Sequence, residues 1–478
     1  MSIHSLLTLL LLCAVARADF LWWGHEHRLP NGLADSLLAV AGDSLQLRLS
    51  VCDAHSGQAL FEHDARVPVT PASLTKLLTA VTALDLLGPE YRFRTLVGFN
   101  ADSLHEGTLG DTLHLICGGN PDLVENDLLG MGRKLRGMGL DSLDAPFVIH
   151  TGRYDSLRMG PGWMWDDGTD AWSARISAAT VNGNGLVLRP GRPVEFSGWP
   201  GAEAPGSAAM QRDWMRQRDV FRPLPRGTKS TSYLNVEHPD SLYARVLMDA
   251  FRSCGLVLGR GFPVLDSRPV SRQLQRSCSL AVESRSLGVL LDSVLTHSWN
   301  LGAECVFQEL GVATDTTESE WMPGSSWKGA AELLVAHVRA SVGDDLNLRL
   351  VDGSGLSRYN AVPLQVFSRL LVREEAVRPS RLRPLLARPG TGSLKARFQN
   401  LPPGIGLRAK TGSLWGSQLL AAYLYREPET GPLLDSDPLP EESLVVILGL
   451  EGNLAGASRL RAKQERIIGL LARWMAKE

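Results

Sequence analysis

Cysteine is scarce and scattered in this chain: Cys13, Cys52, Cys117, Cys254, Cys278 and Cys305, with no C-x-x-C pair among 478 residues. That spacing excludes a disulfide scaffold and gives zinc or dithiol redox chemistry no foothold. His25-Glu26-His27 sits near the mature N-terminus and reads as a solvated leader, so no metal is expected. No apolar run is long enough to span a bilayer. Neither charge sign dominates: 49 Lys and Arg face 51 Asp and Glu, for a net charge of −2. Nucleic acid or an anionic membrane is therefore not called for as a partner.

What is present describes a soluble globular protein, 44% hydrophobic and 21% charged, too long for one core. Leu6 to Ala16 is a short apolar run followed by small residues at Ala16-Arg17-Ala18. This predicts a signal peptide over 1–18, removed on export. Leu12 is too large before Cys13 for lipoprotein processing. Of the five remaining cysteines, Cys254 and Cys278 are the expected pair if a bridge forms.

Alternation at Leu45, Leu47, Leu49 and Val51 predicts a half-buried strand, and His55-Ser56-Gly57-Gln58 turns into a second strand over Ala59–His63. Pro71 opens a predicted helix with apolar Leu74, Leu77, Leu78, Val81 and Leu84, stopped by Gly88-Pro89. From about Thr95 to Ser286, strand-like pieces such as Thr112–Cys117 and Phe147–Thr151 alternate with Gly-, Pro- and Trp-rich loops. Helical spacing resumes at Leu287, Leu290, Leu291, Val294 and Leu295 and runs into Ser298. The middle thus reads as an insertion into a larger lobe. Asp352–Arg358 reads as a loop and a helix starts near Pro363. A strand begins at Arg408, and Leu419–Arg426 pairs with Leu444–Glu451 around the acidic loop 427–442. A last helix carries Leu460, Ile467, Leu470, Leu471 and Trp474, packed on the sheet or resting on a membrane.

Three short motifs carry the chemistry: Ser73-Leu74-Thr75-Lys76, Ser298-Trp299-Asn300 and Lys410-Thr411-Gly412-Ser413. Singly, each is as well explained by a helix cap or a surface charge. In this order and context they describe acyl transfer at a serine. A serine hydroxyl needs a neighbouring base, and Ser73 and Lys76, three apart on a helix, share one face. Lysine is a base only when neutral, and burial with a second cation, Lys410, lowers its pKa. Ser298 is suited to pass a proton to a leaving amine, and Asn300 to fix the lysine and bond a substrate amide. Lys410, Thr411 and Ser413 offer a cation and two hydroxyls to a carboxylate, and Gly412 lets a peptide lie along the strand. Backbone N–H groups of Ser73 and Ser413 would form the oxyanion hole.

The interval from Ser73 to Ser298 leaves no room for a compact β-lactamase. With Leu87 to Thr95, Gly118-Gly119-Asn120-Pro121, Gly162-Trp163-Met164-Trp165-Asp166-Asp167 and Asp352 to Arg358, the chain resembles the class C low-molecular-mass penicillin-binding proteins, the D-alanyl-D-alanine carboxypeptidase/endopeptidase family. The resemblance covers most of the mature chain. It implies an α+β fold: a transpeptidase/β-lactamase-like domain, with a five-stranded antiparallel sheet flanked by helices, and two smaller inserted domains. The catalytic domain would take 19–96 and 286–478, inserted domain II 97–187 and 268–285, and inserted domain III 188–267.

The resemblance also implies a periplasmic serine DD-peptidase acting on peptidoglycan stem peptides without a cofactor. It would remove terminal D-alanine or cut D-alanyl-diaminopimelyl cross-links, and β-lactams would acylate Ser73. Asp167 resembles the aspartate that pairs with the free amine of diaminopimelate, Trp172 the aromatic lining that pocket, and Arg358 the arginine on its distal carboxylate. A zwitterionic side-chain end wants one anion and one cation. Two positions depart from the family: Asn120, where aspartate is commoner and a turn is affected, and the bulky Trp299, which bears on the cleft entrance. A β-lactamase-like hydrolase and a silent wall-binding or β-lactam-sensing protein are the alternative readings. Peripheral contact with the inner membrane is the remaining partner expectation.

Overall fold

In chain order, the larger lobe begins with α1 (Asn31–Ala41), β1 (Gln46–Asp53), β2 (Ala59–His63) and α2 (Thr75–Leu86). It resumes with α3 (Leu287–Thr296), α4 (Asn300–Ala313), α5 (Trp327–Val342) and α6 (Leu364–Val377). It closes with β3 (Ile405–Leu414), β4 (Ser417–Arg426), β5 (Ser443–Glu451) and α7 (Ala457–Met475). This is a computed structural model that describes residues 28–42, 45–167, 170–188, 208–213, 218–223, 232–259, 263–278, 280–313, 324–429, 431–452 and 456–477. The expected leader 1–18, His25-Glu26-His27 and residues 189–207, 214–217, 224–231 and 260–262 of the expected third domain lie outside the described residues.

The five strands form one antiparallel sheet in the order β3-β4-β5-β1-β2. Its central strands are apolar on both faces, because successive strand residues point to opposite sides and helices cover each. Leu420, Ala422 and Leu424 join the core under α1 and α7, while Leu419, Ala421 and Tyr423 face the core of α2 and α6. The same arrangement corrects the half-buried reading of β1. Leu47, Leu49 and Val51 lie in the first core, and on the other face Cys52 is buried and Ser50 bonds Ser368 of α6 at 2.8 Å. In α7, Leu460, Ile467, Ile468 and Leu471 are buried in the sheet core. This is the sheet-packed alternative for the helix, whose apolar stripe is covered. Among the described residues, no helix is long and apolar enough to cross a membrane.

The insertion carries its own five-stranded sheet. Val264–Asp266, Phe147–His150, Leu113–Ile116, Arg94–Gly98 and Leu280–Glu283 follow one another across it. The boundary expected between 96 and 97 therefore falls inside the strand Arg94–Gly98. Val264–Asp266, expected in the third domain, runs parallel beside Phe147–His150 of the second. Val257–Leu258 likewise pairs with Ser142–Leu143. Strand pairing over such sequence distances leaves no composition change at the boundary. One continuous apolar cluster runs from Leu113, Ile149 and Phe251 of the insertion to Leu77, Leu78 and Val81 of α2.

Cys254 and Cys278 do not form the expected bridge: all five described cysteines are free. Cys254 sits beside the Leu129 carbonyl at 3.2 Å, and Cys278 beside that of Leu274 at 3.3 Å. Each thiol is held by its own neighbourhood. Asn120 accepts a bond from the Asp122 N–H at 2.9 Å, the turn its departure from the family pattern concerns.

Candidate active site

α2 is buried from Thr75 to Leu84, with α3, α4 and α5 packed around it. Ser73 lies just before it, on a single 3-10 turn over Ala72–Leu74, rather than in the first turn of an α-helix opened by Pro71. The cause is Ala72, held at φ 50°, a left-handed conformation uncommon for a residue with a Cβ. Its carbonyl accepts from the Thr75 hydroxyl at 2.9 Å, and Gly355 packs so close that a Cβ there would meet it at 1.8 Å.

Lys76 is wholly buried, and its Nζ has three partners. It lies 2.9 Å from Ser73 Oγ, 2.6 Å from Asn300 Oδ1 and 2.7 Å from the Ser354 carbonyl. A neutral amine has two N–H bonds and one lone pair. Two of the partners are carbonyl oxygens, which only accept, so they take both hydrogens. The lone pair is left for the partner that can donate, the Ser73 hydroxyl. Burial lowers the pKa of Lys76 from 10.5 to about 7, opposed by the charges of Glu304 and Asp352. Near neutral pH a large fraction is therefore the free base.

Ser298 stands in the break between α3 and α4, at φ 59°. Lys410 Nζ bonds its Oγ at 2.9 Å and the Thr411 carbonyl at 2.9 Å. Burial, then the charge of Lys76, holds Lys410 well below its ordinary pKa. Asn300 starts α4. Its Oδ1 faces Lys76, and its Nδ2 donates to the Trp172 carbonyl at 2.7 Å, where a substrate amide was expected. Trp299 is half-buried, next to Ser298 in the break between the helices. Its ring packs inward, within 2.4 Å of where a Gly302 Cβ would stand.

β3 is an edge strand. Ala409 donates its N–H to the Ala387 carbonyl at 2.8 Å, on the side away from β4. Alternation then turns the N–H groups of Thr411 and Ser413 the same way, toward the open edge. Gly412 lets this strand approach the serine turn, since a Cβ there would lie 2.9 Å from the Pro71 carbonyl. Thr411 is half-buried, and the exposed Ser413 accepts from Gln418 Nε2 at 2.5 Å. The three motifs are thus brought together by direct bonds.

The insertion closes one side of this cleft. Asp167 is half-buried and its carboxyl is raised, mainly by burial, while the charge of Arg358 pulls it down. Arg358 donates its backbone N–H to the Gly162 carbonyl at 3.0 Å and its guanidinium to the Trp415 carbonyl at 3.4 Å. Among the described residues, no ion pair joins Asp167 to Arg358 directly. Trp172 is exposed, with its indole on Asp170 at 3.2 Å.

Sequence reasoning missed three parts of the site. Glu304, wholly buried on α4, accepts the N–H groups of Gly353 at 3.0 Å and Ser354 at 2.7 Å. That aims the Ser354 carbonyl at Lys76. Asp352 accepts from Trp163, Gly355, Ser357 and Asn360 and fixes the loop as a unit. The Trp172 carbonyl is the third. A lone carboxylate among Leu301, Ala303, Cys305, Val306 and Phe307, one turn beyond Asn300, was the available signal for Glu304. Backbone carbonyls leave none.

A family model described as the D-Ala-D-Ala carboxypeptidase 3 (S13) family matches residues 35–194 and 221–431. D-alanyl-D-alanine carboxypeptidase DacB of Haemophilus influenzae is 23% identical over 398 residues, spanning 77% of this chain and 80% of that protein. A D-alanyl-D-alanine carboxypeptidase of an Actinomadura species is 26% identical over 411 residues, spanning 78% and 74%. The crystal structure of penicillin-binding protein 4 from Haemophilus influenzae matches with a TM-score of 0.76 at 21% identity, over 94% of this chain and 99% of that one. That likeness establishes the transpeptidase-like fold. Since the family model spans both sides of the insertion and all three motifs, this chain belongs to the D-Ala-D-Ala carboxypeptidase 3 (S13) family.

Proposed function

We propose that the chain is an exported serine DD-peptidase of peptidoglycan that forms an acyl-enzyme on Ser73. The observation that carries this is the Lys76 amine, whose two carbonyl partners leave its lone pair to the Ser73 hydroxyl at 2.9 Å. Ser73 attacks the carbonyl of the penultimate D-alanine while Lys76 takes its proton. The oxyanion rests on the N–H groups of Ser73 and Ser413. Ser298, held by Lys410, relays that proton from Lys76 to the departing amine, which leaves Lys76 neutral again. Water then enters, with the same base, and frees Ser73. Thr411, Gly412 and Ser413 seat the peptide along the β3 edge. Asp167, Trp172 and Arg358 receive the diaminopimelate side chain, a reading supported by their opposite charges on one side of the cleft. The leader-like segment 1–18 and a substrate outside the cytoplasm support export to the periplasm.

Benzylpenicillin should add its mass to Ser73 and leave Ser73→Ala unlabelled, and the wild type should release D-alanine from a pentapeptide. A folded protein that takes no adduct and releases nothing would sink the proposal, and fast penicillin turnover would favour the β-lactamase-like alternative.

A further inference from the structure

Four aromatic side chains are exposed among the described residues: Trp165 at 63%, Trp172 at 45%, Tyr359 at 54% and Trp415 at 83%. Exposed apolar side chains scattered singly are ordinary, whereas a cluster marks a binding surface. These four stand on three segments that meet at the cleft mouth. The Arg358 N–H reaches the Gly162 carbonyl at 3.0 Å, and the Tyr359 ring lies 2.6 Å from where a Gly162 Cβ would stand. Arg358 also donates to the Trp415 carbonyl at 3.4 Å, and the Trp172 carbonyl is bonded by Asn300 at 2.7 Å. Trp415 tips the β3–β4 hairpin.

We propose that Trp415, flanked by Tyr359, Trp165 and Trp172, is a stacking platform for the pyranose rings of the glycan strand that carries the stem peptide. The inference rests on the DD-peptidase reading. A pyranose presents a face of C–H groups that stacks on an indole, and its hydroxyls suit the carboxylates and guanidinium alongside. Position agrees as well. In a stem peptide two residues separate the diamino acid from the lactyl group of the sugar, three linkages and upwards of about 10 Å of extended chain. With that side chain between Asp167 and Arg358, the sugar arrives at the rim. An anionic membrane suits the rim less, because Asp166, Asp167 and Asp170 lie beside Trp165 and Trp172 and repel it.

The test compares a free pentapeptide with the same peptide on intact glycan strands. Trp415→Ala should lower kcat/KM on the glycan-linked substrate about tenfold and leave the free peptide and penicillin acylation unchanged. Trp415→Phe should recover most of the loss. Saturation-transfer NMR should show a hexamer of N-acetylglucosamine binding the wild type and not Trp415→Ala. Equal rates for wild type and Trp415→Ala on the glycan-linked substrate would overturn the platform. So would an equal loss on the free peptide, or Trp415-dependent sedimentation with anionic vesicles in place of glycan binding. A wild type inactive on both the free pentapeptide and a free cross-linked peptide dimer, and unlabelled by penicillin, would overturn the DD-peptidase reading itself.

Discussion

A lysine that would ordinarily be an ammonium at neutral pH is here wholly buried, and its pKa falls from 10.5 to about 7. Since only the neutral amine can accept the Ser73 proton, activity is present above that value and lost below it. Acylation of Ser73 by benzylpenicillin should fall about tenfold per pH unit below about 7 and level off above it, as followed by stopped-flow. Glu304 acts on this lysine through the Ser354 carbonyl it positions and, where it is ionised, through its charge, which raises the Lys76 pKa; burial, then the charge of Asp352, lifts its own carboxyl to about 8. Glu304→Gln replaces an acceptor by an amide that can serve one N–H and faces the other with hydrogens. The expected cost in acylation is about 2 kcal/mol, or roughly 30-fold, with the pH midpoint moved to lower pH. An unmoved midpoint would reduce Glu304 to a structural prop.

At the scale of elements, the Asp352–Arg358 loop and the serine turn are built against each other. Gly355 sits at φ 83° with the Ala72 carbonyl where its Cβ would be. Gly355→Ala should cost about 2–4 kcal/mol of stability, seen as a lowered Tm, and should lose most penicillin acylation by moving Ser73. β2 and the body of α2 were legible because their signals are local: a turn before the one, four-residue apolar spacing along the other. The 3-10 turn at Ala72 was not, since it depends on a loop about 280 residues away. The helix Glu125–Gly137 escaped because Gly130, Gly132 and Gly137 dilute its propensity, while Gly132 is where it meets Phe251 of the distant helix Pro239–Ser253 and Cys254 at that helix's end. Site residues named by motif were found together; Glu304 carries no motif, only a buried charge.

Across the whole molecule, one apolar cluster and several polar ties join the insertion to the lobe it interrupts. Arg153 pairs with Glu309 of α4, Tyr154 bonds the Cys305 carbonyl at 3.2 Å, and Trp163 bonds Asp352 at 2.9 Å. Among the described residues, no disulfide takes part in this. The five described cysteines should each take one alkylating label under denaturing conditions without reductant, and reductant should leave the Tm unchanged. A missing pair of labels would restore the Cys254–Cys278 bridge.

The bond from Asn300 Nδ2 to the Trp172 carbonyl has a wider meaning, because Asn300 also grips Lys76. The inserted loop and the proton acceptor are thus two bonds apart, through one side-chain amide. A cell-wall fragment seated against that loop is therefore expected to gain in kcat as well as in KM, since remote contacts can be spent on alignment of the reacting atoms.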